Sequence, residues 1–392
     1  MRNRIFSTIM ALTCGLTISA QSVCRINGQI ADTKLANSEK VKRVYLTHTN
    51  EFGIATEIDS AKVKKGAYTF KQKCKKGEPT LQYTITGFGK NKNIPFFLEP
   101  GTVTINTPAA SEPEKSEVVG TPTNDTYAAY KAIAIESERK VAQIVSSLEV
   151  QHGTDWLRSA EGQREVKRIK AKEAINNESQ ALRFLIDHND SPMTPLEIER
   201  TLLPKLSEAY ADQATKAIAY SLQQHPYYHS LRNTVLANTL KVGTEAPNLT
   251  LPLLSGDVTH LTDYRGKHVI LHFWYPDSET STAQFTELRA IYEAIKGNDK
   301  YIIISYALND DIAAWKKAVT THGLAHEKWL HVCDGAGLHS PAAKHYKVEN
   351  TPKIVFIEPE GHAISLGIDT EELLMRIEQI ESGDLYYLDM EK

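Results

Sequence analysis

The chain has 392 residues, 41% of them hydrophobic and 24% charged, with a formal net charge of −3. That length allows two or three domains. The near-neutral balance, without any long run of like charges, gives no sign of a nucleic-acid partner.

Arg2 and Arg4 form a basic start, residues 5–18 are mostly apolar, and Ser19-Ala20 offers a small-residue cleavage site before Gln21. This pattern predicts a signal peptide over residues 1–20 and an exported chain. The apolar run is short for a membrane span, and no later segment reads as a transmembrane helix. The residues before Cys14 and Cys24 fit a lipoprotein signal poorly. Export implies an oxidising compartment. Cleavage would leave Cys24, Cys74 and Cys333, an odd number, so at least one is unpaired within the monomer.

Residues 21–108 read as short strands, near 25–30, 43–47, 67–73, 80–86 and 102–106, punctuated by turn clusters such as Lys64-Lys65-Gly66. They predict an antiparallel sandwich or barrel. Cys24 and Cys74 both fall in this region and are a candidate disulfide. Residues 109–123, rich in Pro, Ser, Glu and Thr, predict a linker. Residues 124–240 predict an α-helical middle region, mainly helical over 124–150, 154–188 and 195–224, with a break in the last. Pro192, Pro195, Pro204 and Pro226 are breakers or first-turn residues.

Residues 241–392 predict an α/β domain. Its centre is Phe273-Trp274-Tyr275-Pro276-Asp277-Ser278-Glu279-Thr280-Ser281. An apolar run at 268–272 precedes it, and apolar residues at Phe285, Leu288, Ile291, Tyr292 and Ile295 follow at helical spacing. The stretch is therefore a strand-to-helix turn. Asp277 or Ser278 would cap the helix, and Ser281-x-x-Gln284 has the form of a capping box.

These residues resemble the thioredoxin superfamily, in particular its TlpA/ResA-like branch, which reads F-W-A-x-W-C-x-x-C before an E-x-P-x-L-x-x-L-Y helix. Ala246-Pro247-Asn248-Leu249, the Leu261 to Lys267 stretch and Val348-x-x-Thr351-Pro352-Lys353 resemble the family's opening segment, its L-x-D-x-x-G-K and its cis-proline segment. In this register the two redox cysteines fall on Ser278 and Ser281. A second register, Pro276-x-x-x-Thr280-x-x-Ala283, resembles the peroxiredoxin signature and places the peroxidatic cysteine on Ala283. Thiol–disulfide exchange needs an attacking thiolate and a second thiol to resolve the mixed disulfide, and neither register supplies one. Residues 21–108 resemble a β-rich domain of unknown function that precedes thioredoxin domains in bacterial envelope proteins. The resemblance rests on Ile58-Asp59-Ser60-Ala61, Gly66-Ala67-Tyr68-Thr69-Phe70 and Phe97-Leu98-Glu99-Pro100-Gly101.

The resemblance implies a periplasmic protein with a peptide-binding groove formed by Trp274, Asp277, Ser278, Glu279, Thr280, Ser281, Thr351 and Pro352. Its partner would be a peptide or an envelope protein. Trp274 either lines that groove or packs in the core, and Pro352 either faces a peptide or only shapes its loop. Cys333 is a candidate free thiol, with a buried structural residue as the alternative. His322, His326 and His331 lack a completing cysteine or carboxylate, so no metal is expected. No phosphate-loop, dinucleotide or G-x-S-x-G motif is present, and no cofactor is expected. The function expected is non-catalytic binding; the alternative is a thiol–disulfide oxidoreductase or peroxiredoxin-like antioxidant protein using one of the remaining cysteines.

Overall fold

A computed structural model describes residues 22–75, 77–276 and 278–383. The expected signal peptide, Cys14 and Asp277 lie outside the described residues.

The N-terminal part holds eight strands: β1 Ser22–Asp32, β2 Arg43–Thr49, β3 Ala55–Lys62, β4 Ala67–Cys74, β5 Leu81–Thr86, β6 Ile94–Leu98, β7 Gly101–Ala109 and β8 Glu117–Val119. They form two four-stranded sheets, ordered β4-β1-β7-β8 and β3-β2-β5-β6. Ile26, Val44, Leu46, Phe70, Ile85, Phe96, Val103 and Ile105 bury between them, as alternation along half-buried strands requires. The result is a sandwich. Its pairs are antiparallel except β1 with β7, which run parallel. Gly28 admits the Tyr68 ring where a side chain would collide with it. Cys24 on β1 and Cys74 at the end of β4 form a disulfide with Cα atoms 6.0 Å apart.

The segment expected as a linker is part of this fold. β8 pairs with β7, Val118 is buried, and the Thr107 and Ser116 hydroxyls meet at 2.8 Å inside. Hydroxyl-rich composition looked like solvent-exposed chain because these groups satisfy each other.

The middle region runs α1 Pro122–His152, α2 Thr154–Arg158, α3 Ala160–Asp187, α4 Met193–Glu197, α5 Glu208–Lys216 and α6 Pro226–Thr239. The stretch 195–224 is more broken than expected. A π-helical turn at Ile198–Leu202 and a 3-10 turn at Leu203–Lys205 separate α4 from α5, because Pro204 cannot donate to a continuing ladder. Pro226 begins α6 as a first-turn residue, where its missing N–H costs nothing. Phe97, Tyr127, Leu185, Met193, Leu196, Leu231 and Val235 share one core, which joins the sandwich to the helices. The Tyr227 hydroxyl accepts from Gln82 N at 2.6 Å, and Arg200 Nη1 donates to Gln82 Oε1 at 2.7 Å.

The C-terminal part runs β9 Thr250–Pro252, β10 Val258–His260, β11 His268–Trp274, α7 Glu279–Ile295, β12 Tyr301–Ala307, α8 Ile312–Thr321, β13 Trp329–Val332, α9 Pro341–His345, β14 Lys353–Ile357, β15 Ala363–Ser365 and α10 Thr370–Ser382. Its five-stranded sheet has the order β13-β12-β11-β14-β15. β11, β12 and β13 are parallel, while β14 and β15 are antiparallel to their neighbours. β11 and β12 are buried along their whole length, which explains their unbroken apolar runs. Ile270 and Trp274 face Phe285, Leu288 and Trp315 on one side. Leu271 and Phe273 face Ala342, Tyr346 and Leu251 on the other. This is a thioredoxin-like arrangement, with the β11–α7 turn at the carboxyl end of the parallel strands.

Candidate functional site

The turn after β11 is held by its own serines. Trp274 O accepts from Leu308 N at 2.9 Å, which ties the strand end to the loop after β12. Ser278 caps α7: its Oγ accepts from Ser281 N at 3.3 Å and lies 2.8 Å from Thr280 Oγ1. Ser281 Oγ in turn accepts from Tyr275 N at 3.3 Å. The first bond satisfies an N–H that lacks a partner in the opening turn of the helix, and the second satisfies one in the loop before it. Ser281 is the third helical residue rather than a cap, so the box expected at Ser281-x-x-Gln284 does not form.

Accessibility divides the expected groove. Glu279 and Thr280 are exposed and Ser278 is half-buried. Ser281 and Trp274 are each 0% exposed. Trp274 packs edge-on against Phe285 at 4.8 Å between ring centroids. The expectation that it lines the groove is corrected: β11 is sandwiched between helices, and its even-numbered residues point into the α7–α8 core. Among the described residues, neither serine hydroxyl has a hydrogen bond to an imidazole or carboxylate of the kind that activates a serine nucleophile.

Thr351 and Pro352 precede β14, and the peptide bond between them is cis. β14 runs beside β11 with Lys353 opposite Phe273, which puts the Thr351-Pro352 loop at the same end of the sheet as the serine turn. Both loop residues are half-buried. Lys353 Nζ donates to Tyr346 O at 2.9 Å and anchors the loop from behind.

A feature invisible in the sequence adds to this end of the sheet. The β2–β3 hairpin reaches it from the sandwich, with Thr250 Oγ1 donating to Glu51 Oε2 at 2.9 Å. A methyl group on Gly335 would lie 3.4 Å from Ile312 and 3.8 Å from Ile54. Ile54, Ile312 and Leu338 are all exposed. Nothing local in the sequence signals a contact between residues 199 positions apart.

Cys333 follows β13 and is 3% exposed, its Sγ donating to Asn309 O at 3.3 Å. Burial, with the Asp334 carboxylate adding to it, pushes its thiol up to about 11. It is a free but buried thiol, the opposite of the low-pKa exposed thiolate that redox chemistry uses. The histidines considered for a metal are packed into one aromatic cluster around Trp329, which contacts Phe285, Tyr292, His326 and His331. His322 stacks on Phe285, and His326 stacks on Tyr292. His331 Nε2 lies 2.9 Å from Leu324 O.

Known proteins resemble two separate parts of this chain. Residues 242–364 match the model of the AhpC/TSA family, and residues 24–127 match that of a domain of unknown function, DUF4369. Over 130 residues, 33% of this chain, the sequence is 29% identical to a chloroplastic peroxiredoxin Q from Triticum aestivum, and the match spans 58% of that relative's length. A thiol-disulfide oxidoreductase from Bacteroides fragilis is 25% identical, with a TM-score of 0.33 over 35% of this chain and 99% of that one. The thioredoxin domain of a thiol-disulfide oxidoreductase from Bacteroides vulgatus is 23% identical, with a TM-score of 0.33 over 36% of this chain and 98% of that one. The chain thus joins an N-terminal DUF4369 domain to a C-terminal thioredoxin-like domain of the AhpC/TSA family.

Proposed function

We propose that this protein is a non-catalytic binding module of the bacterial cell envelope, in which a thioredoxin-like scaffold holds an extended peptide or a partner protein without exchanging disulfides. The observation that carries the reading is the use of both serine hydroxyls. The resemblance places the redox cysteines at Ser278 and Ser281, and each serine is engaged in closing the β11–α7 turn. The turn therefore keeps its shape with no sulfur present. The accessible surface would be Glu279, Thr280 and the Thr351-Pro352 loop, with the Ile54, Ile312 and Leu338 ledge as apolar anchorage. The Cys24–Cys74 disulfide supports an oxidising location such as the periplasm.

The competing reading is a thiol–disulfide oxidoreductase or peroxiredoxin-like antioxidant, and the AhpC/TSA match favours it. It would have to use Cys333, which is buried, or the bonded pair Cys24 and Cys74. We expect the chain to bind a cysteine-blocked extended peptide, carboxymethylated insulin B chain, in calorimetric titration. The double variant Glu279→Lys, Thr351→Lys should weaken that binding at least ~10-fold, about 1.4 kcal/mol. Equal affinity in wild type and variant would remove the groove from the account. A covalent adduct trapped on Cys333, Cys24 or Cys74 would favour the oxidoreductase.

A further inference from the structure

Charge is unevenly placed along this chain. The formal net charge is −3, yet residues 22–76 hold twelve Lys and Arg against five Asp and Glu. The topology gathers most of these cations at one end of the sandwich. β1 runs toward that end, and β2 leaves it after a loop in which Val41 N donates to Thr33 O at 2.9 Å. β3 returns to it, where Val63 N donates to Lys42 O at 2.9 Å and Ile30 N donates to Gly66 O at 2.8 Å. The β5–β6 loop starts there too, since a methyl group on Gly87 would lie 2.8 Å from Arg43 O. The other end of the strands carries the β2–β3 hairpin, whose Glu51 meets Thr250. The basic end therefore faces away from the C-terminal part.

Lys34, Lys40 and Lys42 stand in the first of these loops and are exposed. Lys62, Lys64 and Lys65 are exposed at the β3–β4 turn, as is Lys90 in the β5–β6 loop. Arg43 and Lys92 are half-buried beside them. Segments 32–43, 62–65 and 87–93 thus hold nine cations and two carboxylates, Asp32 and Glu39. The segment after β7 joins this end through Ala110 N on Asp32 O at 2.7 Å, and it brings Glu112, Glu114, Lys115 and Glu117. Glu112 is paired with Lys115 at 2.6 Å. With that segment counted, ten cations face five carboxylates, and the end stays basic. The like charges are set against one another. Arg43 lies opposite Lys62 across the β2–β3 ladder, and Lys34 lies opposite Lys40, where opposed like charges destabilise a sheet. Among the described residues the sandwich's ion pairs are Lys75–Glu78 and Lys115–Glu112, so none of the nine is neutralised in a pair. Lys65 has φ +52°, a left-handed conformation that glycine or asparagine adopts more easily. Local preference yields to positive charge at each of these places, the kind of conflict that functional surfaces carry.

We propose that this end of the sandwich docks on a membrane surface rich in anionic phospholipid. Eight of the nine cations are lysines, point charges without the guanidinium fork that grips one phosphate bidentately. Spread over three loops, they match a diffuse anionic plane, and clusters of this size are what draw a protein to one. None of the exposed large apolar side chains lies in these loops, so the contact is electrostatic and does not insert. Docking here leaves the surface around Glu279 and Thr351-Pro352, at the hairpin's end of the molecule, open to its own partner.

The test is co-sedimentation of the chain from residue 21 with vesicles of phosphatidylglycerol and phosphatidylcholine in equal parts, beside vesicles of phosphatidylcholine alone. The wild type should sediment only with the anionic vesicles. Raising salt from ~0.05 M to ~0.5 M should release it, because screening shortens the reach of exposed charges. Lys40→Glu, Lys62→Glu, Lys64→Glu together should weaken partitioning at least ~100-fold. The same three positions changed to arginine should bind as the wild type does. Lys167→Glu, Lys170→Glu, Lys172→Glu on α3 alters the net charge equally and should leave binding unchanged. Thermal unfolding followed by circular dichroism checks that each variant is folded. Heparin, a soluble polyanion, is compared in parallel. Retention on heparin without sedimentation on vesicles would overturn membrane docking and assign this end to a soluble polyanion. Equal binding to both kinds of vesicle, an unaffected sandwich variant, or an equal loss in the α3 variant would also overturn the proposal.

Discussion

His272 lies at the centre of the C-terminal domain, wholly buried on β11. Its Nδ1 is 3.1 Å from Ser305 Oγ, which also accepts from Trp329 Nε1 at 2.8 Å. Burial, reinforced by nearby His331, lowers its pKa to about 3. Burial likewise lowers His331 and His345 to about 4. All three are neutral in the folded state at neutral pH. An unfolded histidine takes up its proton near pH ~6.5. Below that value the unfolded chain binds more protons than the folded one, so stability rises with pH in this window. It is fully present above pH ~6.5 and is lost as pH falls toward the folded-state values. Each histidine contributes a slope of up to ~1.4 kcal/mol per pH unit. Urea midpoints should therefore fall steeply between pH 7 and pH 5, and His272→Leu should flatten that slope. An unchanged slope in the variant would show that His272 is not held neutral by burial.

At the scale of elements, the β11–α7 turn decides how the chain reads. Ser278→Ala removes the cap from α7 and should cost ~1 kcal/mol, seen as a lower thermal midpoint with the helical signal retained. No loss would mean that the cap is not what holds the turn. Much of this region was legible beforehand. The apolar run of β11, the helical spacing from Phe285 to Ile295 and Thr351-Pro352 each announce their element through local pattern. Asp311 caps α8, its Oδ1 accepting from Ala313 N and Ala314 N. What escaped was set by tertiary partners. Trp274 could be placed on β11 but not on a face of the domain, because a strand buried on both sides shows no alternation. Ser116 looked like a linker residue because its bond to Thr107 is made only once β7 and β8 pair. The approach of Glu51 and Ile54 to the C-terminal domain has no local signature at all.

At the scale of the whole molecule, packing and hydrogen bonding fasten the sandwich to the helices, and a disulfide crosslinks the sandwich itself. The sandwich meets the helices through the apolar core around Phe97 and Tyr127 and through the Tyr227 hydroxyl on Gln82 N. Within the sandwich, the Cys24–Cys74 disulfide closes a loop with a sequence separation of 50. A loop of that length corresponds to ~4 kcal/mol of chain entropy withheld from the unfolded state. Reduction, or Cys24→Ser with Cys74→Ser, should lower the first unfolding transition by several degrees while leaving the thioredoxin-like domain folded. An unshifted transition would mean that the sandwich is stable without its crosslink. The measurement that bears most directly on function is insulin reduction followed by turbidity with dithiothreitol, comparing wild type with Ser278→Cys, Ser281→Cys. On the proposed reading, in which Ser278 and Ser281 replace the two redox cysteines, the wild type should be inert and the double variant active. Reduction by the wild type itself would contradict the binding role and assign the chemistry to one of the remaining cysteines.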